Sequence, residues 1–156
     1  MSGSRRDFIR SSLLGALALP LGAAYHADTR NDVVLAPRLR EGATIGLVSP
    51  AGAIFDPSRA ELVRETLADL GYQSRLGRNA LRRRGYLAGS DEARASDLYD
   101  MFADDTIDAI VALRGGWGIT RMLPHLDMSV IRRNPKIIMG YSDITALLLA
   151  IYARTG

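Results

Sequence analysis

Two short stretches of the chain hold the residue types most able to do chemistry: residues 140–143, Gly-Tyr-Ser-Asp, and residues 114–118, Arg-Gly-Gly-Trp-Gly. A serine on a sharp turn between a strand and a helix exposes its hydroxyl as a nucleophile, and the helix start stabilises developing negative charge. Ser142 has this setting, and the N–H of Asp143 is a candidate oxyanion donor. Because Ile144 replaces the final glycine of the pattern Gly-x-Ser-x-Gly, the spacing alone favours a simpler role, with Ser142 or Asp143 capping the helix.

The second stretch, residues 114–118, directly follows an apolar run that is typical of a strand. Its glycines allow positive φ angles and close approach of a ligand, and they leave N–H groups available to bind an anion. Gly116 and Gly118 match part of a dinucleotide-binding fingerprint, but Arg121 stands where the third glycine belongs, and the loop lies late in the chain. We therefore reject dinucleotide binding, while a turn without any ligand fits this loop as well as a functional one.

The composition excludes several other chemistries. Apolar residues make up 47% and charged residues 24%, which is ordinary for a soluble globular domain. Cysteine is absent, which excludes disulfide scaffolds, thiolate zinc sites and cysteine nucleophiles. The two histidines, His26 and His125, are too few for a histidine metal site, and His125 follows Pro124 in a segment typical of solvated surface. We expect neither a metal nor a cofactor.

Residues 1–24 are predicted to be an export signal. Arg5 and Arg6 precede the apolar core of residues 13–21, which is shorter than the roughly 20 residues that span a bilayer. The small residues 22–24 fit a cleavage site after Ala24. The context Ser-Arg-Arg-Asp-Phe-Ile-Arg resembles a twin-arginine signal, so we expect a periplasmic protein that meets the membrane only during export. The alternative is an apolar N-terminal helix of the domain, in a protein that stays in the cytoplasm.

The net charge of +3 and the sequence pI of about 9.6 raise the question of nucleic-acid binding. Residues 1–24 contain three arginines and one aspartate, so removing them lowers the net charge from +3 to +1. The basic character therefore lies mainly in the predicted signal, and we expect no nucleic-acid partner.

Strands and helices alternate along the rest of the chain. Apolar, β-branched runs predict strands at 44–49, 107–113 and 136–140, and residues 73–76 are a weaker strand candidate. Apolar spacing predicts helices at 57–70, 91–102, 120–123, 127–133 and 143–154. Asp56 is the expected N-cap of the first of these helices. Ser90, followed by two acids, is the expected N-cap of the second, whose apolar stripe is Ala95, Leu98, Met101 and Phe102. This alternation of strands and helices predicts an α/β fold with a parallel sheet covered by helices on both faces. Both glycine-edged stretches then fall at the carboxyl ends of strands, where such folds carry their sites. The last helix is apolar on most sides, so we expect it to be buried.

Three ordered motifs resemble signatures of the LD-carboxypeptidase family of serine peptidases. They are residues 85–91 with Arg94 and Leu98 behind them, residues 114–118, and residues 134–136 continuing into 140–147. The resemblance extends from about residue 39 to residue 156, and the family includes murein tetrapeptide carboxypeptidases and the microcin C self-immunity protein. The resemblance implies a flavodoxin-like or class I glutamine-amidotransferase-like N-terminal domain at residues 43–156. This domain follows a leader at residues 25–42.

The resemblance also implies a Ser-Glu-His triad in which Ser142 is the nucleophile. The backbone N–H groups of Asp143, Gly115 and Gly116 match the oxyanion hole, whereas the family's glutamate and histidine come from a C-terminal domain that we expect to lie beyond this chain. Such an enzyme cleaves the bond between an L-centre and D-alanine in murein peptides, and this chain alone is expected to be inactive or feeble. The alternative substrates are microcin C-like peptidyl nucleotides.

A competing hypothesis is a non-catalytic α/β module that binds a murein peptide or a partner chain, and we allow for a homodimer.

Overall fold

The structure, a computed structural model, describes residues 33–156, so the predicted signal and the first part of the leader lie outside the described residues. Four parallel strands form one sheet in the order β2-β1-β3-β4, with β1 at Thr44–Val48, β2 at Gln73–Leu76, β3 at Ala109–Ala112 and β4 at Ile137–Met139. The helices are α1 at Ser58–Asp69, α2 at Asp91–Ala103, α3 at Ile119–Met122, α4 at Met128–Arg133 and α5 at Ile144–Thr155, and a 3-10 turn at Leu123–His125 follows α3. The α/β fold with a helix-flanked parallel sheet is confirmed. Across residues 33–156, no helix is long and apolar enough to cross a membrane.

Side chains alternate between the two faces of the sheet, as extended strands require. Ile45 and Leu47 of β1 pack on the α1 side, whereas Val48 packs on the other side against Leu98 and Phe102 of α2. The larger core lies on this second face, beneath α2 and the three helices that follow it. The buried stripe predicted for α2 is confirmed, and its members are Ala95, Leu98, Met101 and Phe102.

The start of α2 is also as expected. The Ser90 hydroxyl accepts a hydrogen bond from the N–H of Ala93 at 3.2 Å, and the acidic Asp91 and Glu92 lie in the first turn. A serine cap and early acids satisfy the unpaired N–H groups and the dipole at a helix start. At the start of α1, the Asp56 carboxylate accepts from the N–H of Ser58 at 3.0 Å, which is the role its predicted capping position requires.

On the α1 side, part of the sheet is left open among the described residues. A groove of about 640 Å³ separates α1 from β3 and β4, and its lining includes Leu62, Leu70, Val111 and Met139. Leu62 is 62% exposed and Leu70 is 65% exposed, although both belong to the apolar spacing that predicts α1. Helices therefore cover the α1 side of the sheet only in part, because α1 packs over β1 and β2 but not over β4.

The expectation that α5 is buried on most sides is wrong. Its buried residues are Ile144, Leu147 and Thr155, whereas Leu149 and Tyr152 are 62% and 68% exposed. The physical reason is that α5 packs against the core through one face, and no described element covers the opposite one. Apolar composition identified the helix but not which of its faces has a partner.

Candidate active site

Ser142 occupies a strained turn between β4 and α5. Its φ angle is +61°, and it is the one non-glycine residue with positive φ among residues 33–156. The carbonyls of Tyr141 and Ser142 accept hydrogen bonds from the N–H groups of Ile144 and Thr145, at 3.2 and 3.0 Å, so the helix begins directly behind the serine. Ser142 is exposed. This strand-turn-helix elbow is the setting in which a serine hydroxyl can reach a substrate.

The Asp143 side chain does not cap the helix that it precedes. Its Oδ2 instead accepts a hydrogen bond from the N–H of Ile119 at 2.9 Å, at the start of α3, and α5 begins without any side-chain cap bond. The capping role that the local spacing favoured is therefore wrong. The Asp143 carboxylate bonds instead to Ile119, 24 residues away in the sequence. This bond joins the elbow to the helix that directly follows residues 114–118, the glycine loop.

Glycines at two positions make room for the elbow. A β-carbon at Gly115 would lie 2.7 Å from the Ser142 β-carbon and 2.9 Å from the Tyr141 carbonyl oxygen. A β-carbon at Gly140 would lie 2.4 Å from the Ile144 side chain. These separations are shorter than any side-chain contact, so the glycine loop can lie directly against Ser142 only because residue 115 has no side chain.

The candidate oxyanion donors lie in this same region. Within the described part of the chain, the backbone N–H groups of Gly115, Gly116 and Asp143 donate to no other residue. The N–H of Gly52 donates to the Gly115 carbonyl at 3.2 Å and so fixes the loop in place. The structure thus brings Gly115 into contact with Ser142 and leaves three nearby N–H groups unengaged.

A buried arginine holds the surrounding loops together. Arg94 of α2 is 1% exposed, and its Nη1 donates to the carbonyls of Pro50 and Gly118. Its Nη2 pairs with Asp91, whose carboxylate also accepts from Arg121 at 2.9 Å. Desolvation opposes ionisation of Asp91, but the hydrogen bond from Arg121 and the two arginine charges outweigh it, so its pKa lies below the ordinary value. Arg94 acts as a positioning residue for the loops on either side of it.

No base accompanies the serine within residues 33–156. The Ser142 hydroxyl forms no hydrogen bond to another described residue, and the exposed His125 lies with its Nε2 4.0 Å from Glu92 Oε1, in the 3-10 turn. The described residues also include no cluster of three or more histidine, aspartate or glutamate side chains that could hold a metal ion. His26 lies outside the described residues.

A cavity of about 380 Å³ lies beside the elbow, and the sequence reasoning missed it. Its lining includes Arg114, Arg59, Phe55 and Tyr141, which come from the loop after β3, from α1, from the loop after β1 and from the elbow. The one sequence signal was the position of Arg114 next to the glycine pair. The other residues belong to segments that only folding brings together.

A protein-family model described as the LD-carboxypeptidase N-terminal domain matches residues 45–156. The chain belongs to the LD-carboxypeptidase family. The resemblance seen in the three sequence motifs is therefore confirmed, and the elbow and the glycine loop both fall within the matched LD-carboxypeptidase domain.

Individual relatives support the same assignment. The chain is 42% identical to the probable murein peptide carboxypeptidase of Bacillus subtilis, covering 76% of this chain and 37% of that protein. It is 37% identical to the murein tetrapeptide carboxypeptidase of Pseudomonas aeruginosa, covering 69% of this chain and 35% of that protein. The solved structure of the microcin C7 self-immunity protein in complex with aspartyl sulfamoyl adenosine matches with a TM-score of 0.74 at 35% identity, covering 80% of this chain and 38% of that one. The chain thus spans just over a third of the length of these relatives.

The left-handed backbone at Ser142 gives a first testable prediction. Glycine is ordinarily less stable than alanine by about 0.5–1 kcal/mol, whereas a left-handed conformation costs a residue with a β-carbon about 1–2 kcal/mol. We therefore expect Ser142→Gly to be at least as stable as Ser142→Ala in urea unfolding. At the exposed Thr145 of α5, the same two substitutions should show the ordinary order. A clearly less stable Ser142→Gly would contradict the strained elbow.

A second prediction concerns Arg94. The substitution Arg94→Met leaves two carbonyls without their donor and removes a buried charge partner of Asp91, so we expect the free energy of unfolding to fall by about 3–5 kcal/mol. Arg121→Met is the matched control, because Arg121 pairs with the same carboxylate from an exposed position and should cost about 0–1 kcal/mol. Equal losses in chemical denaturation would show that Arg94 does not hold the loops.

Proposed function

We propose that this chain is the nucleophile-bearing part of a serine LD-carboxypeptidase, which hydrolyses the bond between an L-centre and D-alanine at the end of murein peptides. The single observation that carries the proposal is the exposed Ser142 at a strained elbow against Gly115. The unengaged N–H groups of Gly115, Gly116 and Asp143 support it further. An oxyanion hole needs donors of this kind, held in place before the charge develops.

The proposed reaction has two steps. The Ser142 hydroxyl attacks the scissile carbonyl carbon and gives its proton to a base, and the carbonyl oxygen takes up negative charge facing the N–H donors. The carbon–nitrogen bond then breaks, the D-alanine amine takes the proton, and an acyl ester remains on Ser142. Water, deprotonated by the same base, hydrolyses this ester and regenerates the hydroxyl.

The base must come from outside the described residues. A serine hydroxyl without a base remains a weak nucleophile, and changes that disable the base of such a triad cost about 10⁴-fold or more in rate. The glutamate and histidine that the family resemblance implies have no match among residues 33–156, whose one histidine is exposed and lies beside Glu92. We therefore infer that the chain by itself binds and positions substrate but turns it over feebly.

Two classes of substrate follow from the relatives. Those from Bacillus subtilis and Pseudomonas aeruginosa carry names that specify murein peptides. The microcin C7 self-immunity protein, at 35% identity, was solved with aspartyl sulfamoyl adenosine, an aminoacyl nucleoside analogue. We favour a murein peptide, because the identity to the Bacillus subtilis relative is the higher at 42%, and we keep peptidyl nucleotides as the second candidate.

Release of D-alanine from a murein tetrapeptide tests the function. The full chain is assayed beside the Pseudomonas aeruginosa murein tetrapeptide carboxypeptidase, and we expect it to be slower by about 10⁴-fold or more because residues 33–156 place no base beside Ser142. We expect the residual release to disappear in Ser142→Ala and to persist in Ser129→Ala, which changes an exposed serine of α4. Turnover by the chain at the rate of the Pseudomonas enzyme would contradict the inferred lack of a base.

The role of the nucleophile is tested in the longer relative. A serine-directed fluorophosphonate should label the Pseudomonas aeruginosa enzyme, and replacing the serine aligned with Ser142 by alanine should abolish that labelling. Undiminished labelling would remove Ser142 as the nucleophile. A peptidyl aminoacyl-sulfamoyl nucleotide, with release of its aminoacyl nucleotide measured beside D-alanine release from the tetrapeptide, separates the two substrate classes.

We also propose that residues 1–24 direct the protein through the twin-arginine route to the periplasm, where its murein substrate lies. We expect the protein expressed in a host with that transporter to appear in the periplasm with Tyr25 as its first residue. Replacing Arg5 and Arg6 together by lysine should leave a full-length protein in the cytoplasm, whereas Arg10→Lys should not block export. Cytoplasmic, uncleaved wild-type protein would contradict the proposal.

A further inference from the structure

Two arginines face the cavity beside the elbow. Arg114 immediately precedes Gly115 in the chain, and Arg59 lies in the first turn of α1. Tyr141, the residue before Ser142, lines the same cavity, which has a volume of about 380 Å³. The cavity therefore offers space for a small ligand beside two cationic side chains. Its lining includes the residues that directly precede Ser142 and Gly115 in the sequence.

Arg114 is held in position without being neutralised. Its Nη1 donates to the Ala53 carbonyl at 2.8 Å, and its guanidinium carbon lies 5.6 Å from the centre of the Phe55 ring and 5.8 Å from that of Tyr86. Among residues 33–156, no carboxylate forms an ion pair with Arg114 or with Arg59. A guanidinium has five N–H donors, so Arg114 keeps donors for a ligand.

One carboxylate, that of Asp56, also lines the cavity and contributes to its net charge. Asp56 accepts hydrogen bonds from the Ser58 hydroxyl at 2.7 Å and from the Ser58 N–H at 3.0 Å. These two bonds hold the pKa of Asp56 below its ordinary value, so the group stays ionised at neutral pH. With two arginines against one aspartate, the lining keeps one net positive charge, which favours an anionic ligand.

We propose that this cavity is the subsite for the free terminal carboxylate of the substrate, with Arg114 and Arg59 as its binding residues. The inference rests on the proposed function and names the group that gives it specificity. Cleavage of one residue from a chain end requires recognition of the terminal carboxylate. One residue spans about 3.8 Å, so this carboxylate and the scissile bond must contact adjacent parts of the site, as Arg114 and Gly115 are.

The chemistry of the pair explains selectivity for a chain end. A planar guanidinium forms two parallel, charge-assisted hydrogen bonds to a carboxylate, and a neutral carboxamide cannot replace them. An unpaired cation in a partly buried cavity therefore disfavours a peptide whose chain continues or whose end is amidated. Arg114 and Arg59 are, on this inference, the residues that make the site a carboxypeptidase site.

Binding rather than turnover tests the subsite. The probes are the murein tetrapeptide and its C-terminal carboxamide, titrated calorimetrically into the full chain carrying Ser142→Ala so that both remain intact. We expect the free acid to bind about tenfold or more tightly than the carboxamide, as a charge-assisted hydrogen bond implies. Arg114→Gln and Arg59→Gln should each reduce that ratio to about threefold or less, by weakening binding of the acid alone.

Arg83 supplies the matched control. Its guanidinium carbon lies 4.7 Å from the centre of the same Phe55 ring, but Arg83 does not line the cavity, so Arg83→Gln should leave the ratio unchanged. Arg59 is exposed and makes no hydrogen bond through its side chain within the described residues, so Arg59→Gln keeps the test informative if Arg114→Gln proves unfolded by circular dichroism.

Three results would overturn the subsite: no saturable binding of the tetrapeptide, equal affinity for acid and carboxamide, or an undiminished ratio in a folded arginine variant. These results are distinct from failure of the proposed function. A preserved preference for the acid in a chain whose residual D-alanine release does not depend on Ser142 would overturn the function and leave the subsite standing. The reverse pattern would overturn only the subsite.

Discussion

The geometry of the elbow depends on the buried guanidinium of Arg94. A cation removed from water needs partners, and Arg94 finds them in the Pro50 carbonyl, the Gly118 carbonyl and the Asp91 carboxylate. The two carbonyls belong to the loops that follow β1 and β3, at the sheet edge where a parallel α/β fold carries its site. One side chain of α2 thereby fixes the spacing between two loops that are far apart in sequence.

From Arg94, a continuous series of contacts leads to the serine. Gly118 precedes α3, whose first N–H, that of Ile119, donates to the Asp143 carboxylate. Asp143 follows Ser142, and Gly115 packs against Ser142 from the other side. A left-handed serine persists only where its surroundings over-determine it, at a cost of about 1–3 kcal/mol. Here the carboxylate bond behind the serine and the glycine in front of it leave its backbone little freedom.

Features that depend on neighbouring residues could be predicted from the sequence, whereas features that depend on partners distant in sequence could not. The strands and α2 were predicted because apolar, β-branched runs, helical spacing and the Ser90 cap are local patterns. The capping role favoured for Asp143 was wrong because its real partner, Ile119, is distant in sequence and competes successfully with the local helix start. The exposure of Leu62 could not be predicted from helical spacing, since burial depends on a covering element as well as on apolar character. The cavity lined by Arg59 and Arg114 could not be predicted, because it forms only when the segments after β1, β3 and β4 come together.

The site separates two tasks that a serine peptidase has to combine. Within the described residues, the chain supplies an exposed hydroxyl on a constrained backbone, unengaged N–H groups in the elbow and the neighbouring loop, and two arginines without an ion-pair partner in the adjacent cavity, but no base in contact with Ser142. A constrained backbone, the half-buried Arg114 and the exposed Arg59 can hold a substrate in place before any proton moves, and such positioning accounts for a large part of catalysis. Under the proposed function, the Ser142 hydroxyl stays protonated and weakly nucleophilic until a base is brought to it. Substrate selection then precedes activation of the nucleophile, and a chain of this kind can recognise the end of a peptide independently of its ability to cleave it.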